Sequence, residues 1–161
     1  MQETVGAQTE VDRLANEQAV FDAVGANRNA PRAQLLEALT DALHEKFPHY
    51  TGVYIYLLEG ETLVLSNFCG RPTEHTRIPL GEGICGRAAR LKQMITVDDV
   101  NADPDYLACS LETRSEIVVP ITRGEQVLGE IDIDSDVPAA FDAADEAFLK
   151  KLAQQVVLHF N

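Results

Sequence analysis

Apolar residues first recur at helical spacing from Val11 through Leu14, Phe21 and Val24, and the run stops at Gly25. A second helix is better marked. Asn29 stands near its start, Pro31 falls in its first turn, Leu35, Leu36, Leu39 and Leu43 form one stripe, and Pro48 ends it. The period then drops to two. From Gly52 to Leu58, Val53, Ile55 and Leu57 alternate with Tyr54, Tyr56 and Leu58, the pattern of a strand with one aliphatic and one aromatic face. Glu59-Gly60-Glu61 turns the chain, and Thr62 to Ser66 returns beside it. After a loop holding Cys69 and Pro72, the pattern predicts a short strand from Thr76 to Leu80, a brief helix from Ile84 to Leu91 and a strand from Met94 to Val97. The stretch from Asp98 to Arg114, turned by Asp103-Pro104-Asp105, reads as one long loop, and loops of that length in compact domains tend to carry function.

A second hairpin follows, from Ser115 to Ile121 and from Gln126 to Ser135 around Arg123-Gly124-Glu125. Burying Ile117, Val119 and Ile121 together with Ile131 and Ile133 requires facing residues of like parity, hence a loop of three or five residues. Glu116 then faces Asp132 or Asp134. The run Phe141-Asp142-Ala143-Ala144-Asp145 opens a capped helix that Phe148, Leu149, Leu152, Val156 and Phe160 continue to the end. This order predicts an α+β fold, with a central, mostly antiparallel sheet of about six strands and helices packed on one face. Residues 1–30 read as an N-terminal helical extension and residues 31–161 as the domain proper. The terminal helices carry broader apolar faces than one small sheet covers, so a homodimer through them is expected.

Composition narrows the function more than the fold. With 161 residues and 45% apolar content, the chain can build one real core. No apolar run approaches the ~18 residues that span a bilayer, and no charged, apolar, small-residue leader opens the sequence, so a soluble, cytoplasmic protein is expected. The formal charge of −13, from 13 basic and 26 acidic residues without a basic cluster, argues against nucleic-acid and membrane partners. A cationic or zwitterionic small ligand suits it better. Three cysteines without a Cys-x-x-Cys pair argue for free or redox-active thiols rather than a disulfide framework.

Candidate chemistry gathers between Gly81 and Ser135. Cys85, in Gly-Ile-Cys-Gly at the start of the short helix, is either a packed core thiol or a catalytic one whose thiolate the helix N-terminus favours. Cys109, in Ala-Cys-Ser of the long loop, is the better candidate for function. By strand parity Glu116, Asp132 and Asp134 share the face opposite the aliphatic residues. If that face is covered, three carboxyls so close cannot all ionise freely, and at least one should be a proton donor near neutral pH. If it is open, Ile-Asp-Ile-Asp is an ordinary half-solvated strand. Tyr50, Tyr54 and Tyr56 are pocket walls or packing. Cys69 is structural or a spare thiol, and His75 lacks metal-ligand spacing, so no metal site is expected.

Taken together, Arg77 to Ala89 (RIPLGEGICGRAA), Asp99-Val100, Ala108-Cys109, Ser115 to Ile121 (SEIVVPI) and Gly129 to Ser135 (GEIDIDS), closing on Phe141-x-x-x-Asp145-Glu146, resemble the GAF domain. More narrowly they resemble its free methionine-(R)-sulfoxide reductase subfamily, whose two downstream cysteines match Cys85 and Cys109, 24 residues apart. The resemblance implies that Cys109 attacks the sulfoxide sulfur and becomes a sulfenic acid, while Glu116, Asp132 and Asp134 hold the substrate's amino group and protonate the departing oxygen. No bound cofactor is implied, only an external dithiol reductant such as thioredoxin. The chain departs from the pattern twice. His75 stands where the family's first cysteine falls, which leaves Cys85 or Cys69 as the resolving thiol, and Tyr50 replaces the pocket tryptophan. The alternative reading is a non-enzymatic GAF sensor module that binds a small molecule or senses redox state through Cys85 and Cys109, with signalling through its dimer helices.

Overall fold

A computed structural model describes residues 9–107 and 110–160. Helices α1 (Glu10–Ala26) and α2 (Arg32–Lys46) lead into strands β1 (Gly52–Glu59), β2 (Thr62–Gly70) and β3 (Arg77–Pro79). Helix α3 (Gly83–Leu91) and strand β4 (Ile95–Val97) precede the long loop, and β5 (Ser115–Arg123), β6 (Gln126–Ser135) and α4 (Ala143–Val156) complete the order. Among the described residues the strands form one antiparallel sheet in the order β3-β2-β1-β6-β5-β4. None of the described helices is long and apolar enough to cross a membrane.

Alternation along β1, β5 and β6 divides the interior in two. Val53, Ile55, Ile117, Val119, Ile121, Ile131 and Ile133 point to one face, where α1, α2 and α4 cover them with Val20, Leu36, Leu39, Phe148 and Leu152. Tyr54, Tyr56 and Val118 point to the other face, beneath Ile84, Cys85 and Ala88 of α3. Three helices thus share one side, and the short α3 lies on the other. The start of α4 is fixed by Asp142, which accepts from the backbone N–H groups of Ala144 and Asp145, while Asp145 accepts from the Asp142 N–H. Asp145 also accepts from the Tyr50 hydroxyl at 2.6 Å, tying the cap to the entry of β1. At the outer end of α1, Val11 and Leu14 remain exposed.

Two sequence expectations are corrected. The β5–β6 turn has two residues, Gly124 and Glu125, rather than three or five, because Arg123 pairs with Gln126. An irregularity between Ile121 and Thr122 then restores like parity further along the hairpin, so that Ile117 still meets Ile133 and Val119 still meets Ile131. Strand β2 is also longer than its pattern predicts and takes in Cys69, which pairs opposite Val53 rather than sitting in a loop.

Candidate active site

The register of three strands brings the acids together. Glu116 of β5 pairs opposite Asp134 of β6, Asp132 pairs with Val118 on one side and Tyr54 on the other, and Glu130 pairs opposite Tyr56. Residues two apart on a strand share a face, so Glu130, Asp132 and Asp134 stand in one row with Glu116 beside them. That face is covered. Glu116, Asp132 and Asp134 are buried, and Glu130 is wholly inaccessible.

Helix α3 forms the roof, and two glycines let it approach. Gly83 has φ +65°, and a Cβ there would come within 2.8 Å of the Leu107 side chain. At Gly86 a Cβ would meet the Pro79 carbonyl oxygen at 2.8 Å. Close approach on both sides lowers Cys85 onto the acids. The long loop is held over the pocket by Arg87, which donates to Asp103 at 2.8 Å and Asp105 at 2.6 Å. On the opposite wall, the Tyr54 hydroxyl donates to the Arg71 carbonyl at 2.5 Å and the Tyr56 hydroxyl to the His75 carbonyl at 2.7 Å. Arg71 in turn bridges Asp136 and Glu112.

What these contacts enclose is a cavity of about 30 Å³, walled by Tyr54, Tyr56, Cys85, Glu116, Asp132 and Asp134, with Thr73, His75, Tyr106 and Leu107 also in its lining. Burial, and then the neighbouring Asp134 carboxyl, push Asp132 up to about 8. Burial, and then Asp132, raise Glu116 well above the usual carboxylate range. Burial, and then Glu116, do the same to Glu130, with the Cys85 thiol opposing the shift. A carboxyl held at about 8 keeps its proton at neutral pH.

Of the two readings of Cys85, the packed thiol and the thiolate at a helix start, its surroundings favour the first. Burial raises its pKa well above the ordinary thiol value, and Asp132, Glu130 and Glu116 add to the effect. The helix terminus does not outweigh desolvation and three acids. Cys85 Sγ and one carboxylate oxygen each from Glu116 and Asp132 lie within 4.8 Å of one another, a donor set with the reach to hold a small cation.

Not every sequence candidate arrives here. Tyr50 lies on the helix-covered face, stacked on Phe47 and bonded to Asp145, so it is a core residue rather than a pocket wall. Cys69 shares the orientation of its partner Val53 toward α2, where burial and then Asp41 raise its pKa. The sheet therefore separates Cys69 from Cys85. Cys109, the expected nucleophile, lies outside the described residues. Glu130 was not singled out by sequence, although its parity with Asp132 and Asp134 carries the signal.

The GAF domain model matches residues 29–160. The chain belongs to the GAF domain family. Within that family, it is 37% identical over 137 residues to a free methionine-R-sulfoxide reductase of Escherichia coli, covering 84% of this chain and 81% of that protein. A type II free methionine-R-sulfoxide reductase from Thermoplasma acidophilum is 41% identical, covers 80% of this chain and 91% of its own, and superposes with a TM-score of 0.77. The free methionine-R-sulfoxide reductase of Neisseria meningitidis, solved with its substrate, is 31% identical, covers 99% of this GAF protein and 96% of its own chain, and gives a TM-score of 0.85.

Proposed function

We propose that this GAF protein reduces free methionine-(R)-sulfoxide. The observation that carries the reading is the covered row of Glu116, Asp132 and Asp134, carboxyls from two adjacent strands facing a small cavity beside a buried thiol. An ammonium group is the natural complement of such a wall, because it replaces the missing counter-charge and takes up several acceptors at once. The relatives named above support the same substrate. Entry of an amino acid requires the long loop to move, since the cavity as seen holds no more than a few waters.

In this reading Cys109 attacks the sulfoxide sulfur while a protonated acid of the wall, Asp132 or Glu116, protonates the oxygen. The hydroxyl then passes from the substrate sulfur to the Cys109 sulfur as the bond between the two sulfurs breaks with its electrons on the substrate side. Methionine leaves and Cys109 is left as a sulfenic acid. Cys85 then gives up its proton and bonds to that sulfur, expelling water and forming a disulfide that an external dithiol reduces. Cys85 takes this role because His75 stands at the family's first cysteine position and Cys69 lies across the sheet.

The test is methionine release from the R and S epimers of the free sulfoxide, with thioredoxin, its reductase and NADPH supplying electrons. The R epimer should be turned over and the S epimer left, and Cys109→Ser should abolish turnover. Cys85→Ser should release about one equivalent of methionine and then stall. Saturable binding of the sulfoxide with no methionine release from the unaltered protein would overturn the enzyme reading in favour of a ligand-binding sensor.

A further inference from the structure

Among the described residues, one group of three side chains has the reach and the burial of a metal centre. Cys85 Sγ from α3 and one carboxyl oxygen each from Glu116 of β5 and Asp132 of β6 lie within 4.8 Å of one another. The three residues are 4%, 5% and 6% exposed. Asp132 adds an observation of its own. It lines the cavity, and its Oδ1 is buried with no hydrogen-bond partner among the described residues. A buried acceptor left without a donor is costly, and a cation removes that cost. Arg87 of α3 does not supply one, because it is engaged with Asp103 and Asp105.

We propose that Cys85, Glu116 and Asp132 form a zinc site. A thiolate with two carboxylates suits zinc, which accepts sulfur and oxygen ligands in a tetrahedron, whereas magnesium and calcium call for shells of oxygen. Bonds of about 2.3 Å to sulfur and about 2.0 Å to oxygen set such donors about 3.5 Å apart, so the side chains need to close by no more than about 1.3 Å. The cavity of about 30 Å³ beside them leaves room for a water as fourth ligand. As the bond to zinc forms, the thiol gives its proton to solvent, as does any carboxyl that carries one, and nothing is oxidised or reduced. The donors come from three separate elements, which is why no ligand spacing marks them in the sequence. An ion there occupies the wall that the proposed reaction offers to an ammonium group, but nothing in the site requires that reaction.

The experiment titrates the full chain carrying Cys69→Ser and Cys109→Ser, which leaves Cys85 as the sole cysteine, with cobalt(II) as a coloured stand-in for zinc, under reducing conditions without oxygen. One equivalent should bind, with a thiolate-to-cobalt charge-transfer band in the near ultraviolet and the strong visible absorption of a tetrahedral site, and zinc should abolish both. Adding Cys85→Ala to this parent should remove the charge-transfer band. Glu116→Gln and Asp132→Asn leave the sulfur in place, so each should keep the band but need at least about tenfold more cobalt for half-saturation. Circular dichroism shows which variants fold, and if one does not, the other two decide. Zinc should also raise the melting temperature of the parent by several degrees and leave that of Cys85→Ala where it was. No charge-transfer band in the parent, a band that survives Cys85→Ala, or unweakened binding in both acid variants would overturn the proposal. No sulfoxide enters this measurement, so a chain that fails to release methionine in the turnover assay would leave its result intact.

Discussion

The two faces of the central sheet are built from alternate residues of the same strands, and both are buried, yet their contents are opposite. On the helix-covered face Ile117, Ile131 and Ile133 meet leucines and phenylalanines, and every neighbour favours the packing. On the other face Glu116, Glu130, Asp132 and Asp134 are buried beside a thiol. Hydrophobic contact is non-directional and stabilising, whereas buried acids must keep their protons or find a cation. One face holds the domain together, and the other stores an electrostatic demand that a ligand can meet.

The sharpest way to break this contrast is to put an acid on the wrong face. Ile133→Asp, at a fully buried position between Val53 and Ile117, should cost more than ~4 kcal/mol and abolish cooperative unfolding as followed by circular dichroism. A protein that still unfolds cooperatively with little loss would show that the faces differ less than their composition says.

A smaller effect sharpens the comparison from the other side. Asp132 rises from 3.8 to about 8 in the folded state, so the folded protein keeps a proton that the unfolded chain gives up between those values. Its contribution is fully present below the lower value, declines between the two and is gone above the higher. Stability should therefore fall from about pH 4 to about pH 8, and Asp132→Asn should recover a few kcal/mol of that loss in urea melts. An unaltered slope in Asp132→Asn would mean that this carboxyl is not the one retaining the proton.

The smallest expected change concerns the loop rather than the sheet. Arg87→Ala removes the grip on Asp103 and Asp105, and because Arg87 is partly exposed the loss of stability should be ~1 kcal/mol or less. Under the reductase reading KM for the sulfoxide should rise several-fold, and protease should cut the stretch between Asp98 and Arg114 sooner. Equal KM and equal cleavage would show that the loop is held by other contacts.

The sequence by itself determined what depends on local period. Alternation of two placed Glu116, Asp132 and Asp134 on one face and the isoleucines on the other, and the Asp142 to Asp145 run announced a helix start, because both are properties of a few consecutive residues. The same alternation carried Glu130, whose complete burial was not legible, since solvent exclusion is decided by α3, β1 and β5 together. Only the tertiary structure separated Cys69 from Cys85 and sent Tyr50 to Asp145, because which side of a sheet a distant segment covers is a long-range choice. It also bears on the two readings of Cys85, a packed thiol or a thiolate at a helix start, and weighs toward the protonated form. A helix start favours a thiolate only while water or a cation is near, and closing α3 onto four acids removes the one without supplying the other.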